Sequence, residues 1–344
     1  MASTPHHVVR DVNADPFGER FPRLLSVHKQ LLGGHFHFES ASEVLLDLVE
    51  AAYGDLPQHR LPVAASDLRI ELRLVPGRSV PDSAEPPPVQ MQSGAGVLCG
   101  VMDASNYVVV MPEQRRALVV ASENMLRFPY HLRYELIEFA VFILATRALG
   151  LVPLHGACVG REGHGVLLLG ASGAGKSTLA LHALLRGLDF LSEDAVLVQP
   201  ESLLATGVAN YVHVKQDALR LIDDEHAQHW IGRAPTIRRR SGVEKFEADV
   251  RRSRGNLAPT PLKLIGAVFV SGLPADDPSV LLRPVPKDEI AARLHADQPY
   301  AAGQPGWLHF QQKLVGMGVH ELRRGRHPRV SVDALNELLD RASS

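Results

Sequence analysis

The chain has 344 residues, of which 45% are hydrophobic and 22% charged, as is typical of a globular protein with one large or two modest domains. Its 36 Lys and Arg residues stand against 38 Asp and Glu residues, and this net charge of -2 argues against a protein that binds nucleic acid through nonspecific charge. Only two cysteines occur, Cys99 and Cys158, which excludes a disulfide framework and favours a reducing compartment.

The sequence predicts neither a membrane span nor a secretory signal. The most apolar helical stretch, residues 136–151, is interrupted by Glu138 and Arg147 and has an apolar run far shorter than the roughly 20 residues that a span needs. The first 20 residues mix both charge signs and contain no apolar segment of the kind found in signal peptides. We therefore expect a cytoplasmic protein with no membrane partner.

The first part of the chain predicts a helix followed by a strand. Residues 1–30 lack periodicity and predict a loosely held arm. Ser40 and Glu43 match a capping box, and the apolar residues that follow at helical spacing predict a helix that ends at Gly54. Apolar and charged residues alternate over 67–75, which predicts a half-buried strand.

A proline-rich loop over 76–89 leads into short β-type runs that predict an antiparallel meander. These runs cover residues 96–102, 107–111 and 117–120. A helix is predicted over 131–148. We therefore assign residues 1–150 to a small α+β domain that holds no recognisable catalytic constellation and is a candidate for binding a substrate or partner.

From residue 151 the pattern is that of an α/β nucleotide-binding domain, which we assign to residues 151–344. Its first predicted elements are a strand over 154–159, a strand over 166–169, a glycine-rich loop over 170–177, a helix over 177–185 and a strand over 188–191. The last helix, predicted over 332–342, is most simply a packing element.

Residues 170–177 match the phosphate-binding pattern G-x-x-x-x-G-K-[ST] in full, between an apolar strand and a helix. Its glycines let successive backbone N–H groups converge on phosphate oxygens, and the helix adds its positive N-terminus. Lys176 would reach the β- and γ-phosphates and Ser177 would bind Mg²⁺, so the predicted cofactors are ATP or another nucleoside triphosphate and Mg²⁺. We expect the Lys176 ammonium to face solvent until phosphates bind. The predicted cradle comprises Gly170, Ala171, Ser172, Gly173, Ala174, Gly175, Lys176, Ser177 and Thr178.

Two adjacent carboxylates, Glu193 and Asp194, follow the next predicted strand, the first of them 17 residues after Lys176. In a parallel sheet this strand would lie near the strand that precedes the loop, so the carboxylates would reach the phosphates. One carboxylate could hold Mg²⁺ and the other could accept the proton of an attacking hydroxyl. The alternative is a polar turn without function. His155 is a further candidate, although a lone histidine at a strand start is more often structural.

These features together resemble the catalytic domain of HPr kinase/phosphorylase, a bacterial serine kinase whose core is related to phosphoenolpyruvate carboxykinase. The matching residues, all within 154–198, are His155-Gly156, the loop 170–177, Arg186-Gly187 and the run Glu193-Asp194-Ala195-Val196. The resemblance implies a mixed-sheet α/β core and phosphoryl transfer from a nucleotide to a hydroxyl. It also implies that Lys176 binds phosphates, that Ser177 and Asp194 bind the metal, that the acidic pair supplies the general base, and that His155 lies near the phosphates.

The sequence departs from the family at three places. Thr178 replaces a glutamate, Glu193 replaces the first aspartate of the pair, and the downstream isoleucine-glutamate-arginine-glycine signature has no counterpart that aligns. These departures argue against assuming the family's protein substrate, its phosphorylase activity or its hexamer. The expected acceptor is a serine in a peptide or protein, for instance the precursor peptide of a natural product. A small-molecule kinase and a P-loop ATPase or nucleotide-sensing module are the alternatives, and a homo-oligomer is compatible with either.

The stretch 238–254 carries seven positive and three negative side chains. Lys245 and one of the arginines are candidates for neutralising the transferred phosphoryl group or holding an acidic substrate, and a solvated loop is the alternative. The histidines show no metal-binding spacing in the sequence. His35 and His37 lie on the same face of a strand, but the sequence shows no partner residue for them.

Overall fold

The computed structural model of the chain describes residues 24–62, 66–77, 85–277 and 279–343. The N-terminal strands are β1 (Leu25–Leu31), β2 (Gly34–Ser40), β3 (Asp67–Val75), β4 (Gln90–Gly94), β5 (Val97–Asp103), β6 (Asn106–Met111) and β7 (Arg116–Ser122). The N-terminal helices are α1 (Glu43–Tyr53), α2 (Pro129–His131), a π-helical turn (Leu132–Ile137) and α3 (Glu138–Ala148).

The N-terminal strands form one mixed sheet with the order β1-β2-β3-β7-β6-β5-β4. Strand β3 runs parallel to both neighbours, while β5, β6 and β7 form the predicted antiparallel meander. The alternation predicted for β3 is confirmed, since Leu68, Ile70 and Leu72 are buried. Helices α1 and α3 pack against this sheet, so its apolar face forms the N-terminal core.

Three N-terminal expectations are wrong. Residues 25–30 are not a loose arm but belong to β1, an edge strand whose largely exposed side chains give no alternating signal. Ser40 does not cap α1, because its hydroxyl bonds across the sheet to the Leu72 carbonyl at 2.7 Å. His35 and His37 do have a partner, Asp67 of β3, at 3.6 and 3.3 Å.

The C-terminal part has a large mixed sheet, a small sheet and flanking helices. The strands of the large sheet are β8 (Val152–His155), β9 (Ala157–Arg161), β10 (His164–Leu169), β11 (Asp189–Ser192), β12 (Ala195–Gln199), β13 (Leu204–Gly207), β17 (Leu262–Pro274), β18 (Leu282–Pro284) and β19 (Val319–Arg324). The small sheet has the order β14 (Tyr211–Val214), β16 (Glu244–Asp249), β15 (Thr236–Arg238). The helices are α4 (Lys176–Leu185), α5 (Glu225–Gly232), α6 (Lys287–Asp297), α7 (Pro299–Ala302), α8 (Trp307–Met317) and α9 (Pro328–Ser343).

Strand β10 lies inside the large sheet and is covered on both faces. Val166 and Leu168 pack with α4 and α9, whereas Leu167 and Leu169 pack with α6 and α8. Burial on both faces explains why β10 reads as a continuous apolar run. The class is therefore α/β with mixed sheets, as predicted.

The predicted strand 154–159 is two strands that separate at Gly156. Strand β8 pairs with β12, whereas β9 pairs with β10 and β11. A Cβ at Gly156 would stand 2.7 Å from the Leu168 carbonyl oxygen, so the chain can pass β10 this closely only as glycine. Because β10 and β11 both run antiparallel to β9, their carboxyl ends lie at the same edge of the sheet.

None of the helices in the described ranges is long and apolar enough to cross a bilayer. Cys99 and Cys158 are both free thiols. Helix α9 begins at Pro328, earlier than the predicted start at 332, and packs on α4 as expected of a packing element.

Candidate functional site

The glycine-rich loop joins the end of β10 to the start of α4. Gly170, Gly173 and Gly175 all have positive φ, at 128°, 83° and 107°. A Cβ at Gly170 would stand 2.7 Å from the Val270 carbonyl oxygen, whereas the space beside Gly173 and Gly175 is open. The loop therefore packs against β17 at its first glycine and leaves room for a ligand at the other two, where α4 begins.

Lys176 is turned into the loop, so the expectation that its ammonium faces solvent is wrong. The residue is only 7% exposed, and its ammonium donates to the carbonyl oxygens of Gly170 at 2.5 Å and Ala171 at 3.3 Å. Burial lowers the pKa of Lys176, while the charges of Asp297 and Asp194 oppose that shift. The carbonyl groups of the loop supply the acceptors that the buried ammonium needs.

Asp194 lies at the end of β11 with three partners around its carboxylate. The Tyr134 hydroxyl donates to Oδ2 at 2.7 Å, Arg239 lies 3.6 Å from Oδ2, and Nδ1 of His155 lies 3.3 Å from Oδ1. Burial raises the pKa of Asp194, but the charge of Arg239 and the hydrogen bond from Tyr134 outweigh it and hold this pKa below its usual value. Asp194 is therefore an ionised carboxylate at neutral pH.

Glu193 points in a different direction and is only 4% exposed. Its Oε1 accepts the backbone N–H of His213 at 3.1 Å and lies 2.5 Å from Nδ1 of that residue. Its Oε2 is buried and has no hydrogen-bond partner within the described ranges. A buried carboxylate oxygen without a donor is costly, so Oε2 is the atom of the acidic pair that a hydroxyl donor would stabilise.

His213 connects Glu193 to a buried network that sequence reasoning missed. Its Nε2 lies 3.3 Å from Glu247, which pairs with Arg133, and Arg133 lies 3.5 Å from Glu138. Burial lowers the pKa of His213, but the hydrogen bond and charge of Glu193 outweigh burial and raise it to about 9. These residues come from distant parts of the chain, and no spacing in the sequence signals that they meet.

The end of α6 ties His155 to the glycine loop. The Gln298 side chain accepts from the His155 backbone N–H at 2.7 Å and donates to its carbonyl at 2.9 Å. Asp297 accepts from the Gly170 N–H at 3.2 Å and from Gln298 at 2.7 Å. His155 is thus held beside Asp194 with a side chain that is 56% exposed.

The basic stretch contributes Arg239 and Lys245 to the site. Arg239, in the turn that follows β15, is the arginine that reaches Asp194. Lys245 in β16 is half-buried, and burial lowers its pKa while the charge of Glu193 opposes that shift. The next arginine, Arg240, forms a bidentate pair with Glu135. This turn is therefore pinned to the N-terminal part rather than being a freely solvated loop.

One cavity of about 1120 Å³ brings these groups together. Its lining includes loop and helix residues 172–179, His155, Glu193, Asp194, His213, Arg239 and Lys245. Gly170 and Ala171 are not among the lining residues, and their carbonyls accept hydrogen bonds from Lys176. Among the described residues no group of three His, Cys, Asp or Glu side chains suits a metal ion. The predicted set of Ser177 and Asp194 needs only one carboxylate, because Mg²⁺ takes its remaining ligands from substrate phosphates and water.

Comparison with family models and with curated proteins finds no match for this chain. Among solved structures it is similar to the Hpr(Ser) kinase/phosphatase from Coxiella burnetii, with 16% sequence identity and a TM-score of 0.24. The similarity covers 56% of this chain and 89% of that one. At these values it is the geometry of the cavity, and not the similarity, that bears on function.

Proposed function

We propose that the chain is a nucleotide- and Mg²⁺-dependent kinase that transfers a γ-phosphate to a hydroxyl group. The observation that supports this is the shared cavity, which is lined by the glycine-rich loop and by a pair of adjacent carboxylates. A phosphate cradle alone identifies a nucleotide site. Two carboxylates in different environments are suited to two different tasks, and a kinase needs both a metal ligand and a proton acceptor.

The loop and the start of α4 are suited to hold the nucleotide. Open space beside Gly173 and Gly175 fits the approach of phosphate oxygens to the backbone. Phosphate oxygens would replace the Gly170 and Ala171 carbonyls as acceptors for the Lys176 ammonium. Ser177 and Asp194 would hold Mg²⁺, which when bound neutralises phosphate charge.

Glu193 is the better candidate for the general base. Its Oε2 is buried and lacks a donor, so it can accept a hydrogen bond from an acceptor hydroxyl and then the proton. Asp194 already shares its oxygens with Tyr134, His155 and Arg239, which suits a charged ligand of fixed orientation. Arg239, which lies 3.6 Å from Asp194, would stabilise the charge that develops on the transferred group.

The acceptor we propose is the serine hydroxyl of a peptide or protein. Small-molecule pockets commonly enclose about 300–1,000 Å³. The cavity of about 1120 Å³ therefore has room for a nucleotide together with part of an acceptor. A small-molecule hydroxyl, which the same groups would serve, is the alternative acceptor.

The test is to incubate the purified chain with γ-labelled ATP and Mg²⁺, adding serine peptides, proteins or hydroxyl metabolites in separate reactions. We expect label on an acceptor and release of ADP that increases when the acceptor is present. The Asp194→Asn variant keeps the side-chain volume but loses the charge. It should give neither a labelled acceptor nor an acceptor-dependent increase in ADP release. ADP release with all label in free phosphate, whatever acceptor is added, would show an ATPase instead.

A further inference from the structure

Two lysines on or next to the small sheet, Lys215 and Lys245, line the same cavity as the acidic pair. Strands β14 and β16 pair antiparallel with His213 opposite Glu247 and Val214 opposite Phe246. Continued by one position beyond the end of β14, this register would place Lys215 opposite Lys245. Because side chains alternate across a strand, both lysines lie on the face that carries His213 toward Glu193.

Both lysines lack an ion-pair partner among the described residues. Within the described ranges, no carboxylate lies at ion-pair distance from Lys215 or Lys245. Like charges opposite each other destabilise a strand pair, and Lys215 and Arg239 both act on Lys245 as repelling charges. Arginines of the same C-terminal part behave differently, since Arg186 and Arg251 each pair with an aspartate at 2.7 Å.

The position of this cluster relates it to the acceptor. A hydroxyl must touch the general base to lose its proton, so the acceptor approaches from the side of Glu193 and Asp194. Burial lowers the pKa of Lys245, the negative charges of both carboxylates oppose this larger effect, and Arg239 lies 3.6 Å from Asp194. Lys215 is exposed and lines the same cavity, together with Arg220. An acceptor that reaches the base therefore passes the lysine pair.

We infer that Lys215 and Lys245 form an anion subsite that binds a carboxylate or phosphate group next to the acceptor hydroxyl. The acceptor class is then an acidic hydroxyl compound, either a serine flanked by acidic residues or a small hydroxy acid. This inference rests on the kinase function proposed above. In this proposal the lysine pair selects the acceptor, whereas the nucleotide cradle binds only the phosphate donor.

The experiment measures label transfer from γ-labelled ATP to two sets of acceptors. One set is a serine peptide of fixed length with Asp, Asn or Lys flanking the serine, and the other is a series of hydroxy acids with their neutral amides. We expect the acidic members of one set to be labelled at least ~10-fold faster than their neutral counterparts, and the Lys-flanked peptides least. The set that is labelled identifies the source of the anion.

Charge reversal at the subsite supplies the second readout. Lys215→Glu should lower the ratio of acidic to neutral labelling at least ~10-fold, and the milder Lys215→Gln should lower it by less. Arg254→Glu reverses an exposed charge outside the cavity lining and should leave the ratio unchanged. Equal labelling of acidic and neutral acceptors, or an unchanged ratio in both Lys215 variants, would overturn the anion subsite and leave the kinase function standing. Intact ATP hydrolysis with transfer to no acceptor would contradict the kinase function itself, and the subsite with it.

Discussion

The Tyr134 hydroxyl donates a 2.7 Å hydrogen bond to Oδ2 of Asp194, across 60 residues of sequence. Tyr134 belongs to the π-helical turn, whose i→i+5 bonding adds a residue to the turn and is frequent at functional sites. Its neighbours reach the C-terminal part as well, Arg133 to Glu247 and Glu135 to Arg240. The N-terminal part, which we expected to hold no catalytic constellation, therefore contributes directly to the surroundings of the acidic pair.

Removing the Tyr134 hydroxyl should slow the reaction without unfolding the chain. In Tyr134→Phe, Asp194 keeps its charge but loses one of the groups that orient it. We expect a fall in kcat of about 10-fold or more, since a hydrogen bond to a charged group contributes about 1.5–3 kcal/mol. The measurement is kcat as a function of Mg²⁺ concentration. The control is Tyr300→Phe, at a tyrosine that is 51% exposed. Identical dependence of kcat on Mg²⁺ in both variants would show that the Tyr134 hydroxyl has no role in the reaction.

Lys176→Ala should abolish nucleotide turnover while the protein stays folded. The change removes the cation that would stabilise the transferred phosphoryl group, and water can replace it as a donor to the Gly170 and Ala171 carbonyls. ATP turnover and a thermal unfolding curve check the two halves of the prediction. Lys287→Ala, at an exposed lysine of α6, is the matched control. Turnover at the wild-type rate in Lys176→Ala would refute the phosphate site.

Glu193→Gln and Asp194→Asn should each lower acceptor phosphorylation at least ~100-fold, a common contribution of general acid–base catalysis. The amides keep the shape of the side chains but remove charge and basicity. We expect nucleotide binding to survive in Glu193→Gln and Mg²⁺ dependence to weaken in Asp194→Asn. Asp217→Asn changes an exposed acid of the same cavity and serves as the control. If both amide variants phosphorylate at the wild-type rate, the acidic pair is only a turn.

The free energy of unfolding should fall as pH rises from about 6.5 to about 9, because of His213. Glu193 raises the pKa of this histidine in the folded chain from 6.5 to about 9, against the opposing effect of burial. Its stabilising effect is therefore complete below pH 6.5 and is lost as pH rises through about 9. Urea unfolding at several pH values should show this slope in the wild type and a flatter one in His213→Gln. The exposed His309→Gln should keep the wild-type slope, and equal slopes in all three proteins would contradict the assignment.

The sequence predicted most of the glycine-rich loop of the candidate site and less of what surrounds the acidic pair. The loop 170–177 was recognisable because its residue types and spacing follow from local backbone geometry. The strand break at Gly156 was not, because it depends on how closely that residue passes Leu168 of a neighbouring strand. The roles assigned to the site residues remain predictions.

By itself, the sequence determined the glycine-rich loop 170–177, the helix after it and the adjacency of Glu193 and Asp194, since each depends on residues that are close along the chain. Only the tertiary structure decided which groups surround those carboxylates. Glu193 faces His213 and Asp194 faces Tyr134, and both partners come from segments that meet through sheet pairing and core packing. Such contacts connect residues far apart in sequence, and no local pattern of residue types specifies them.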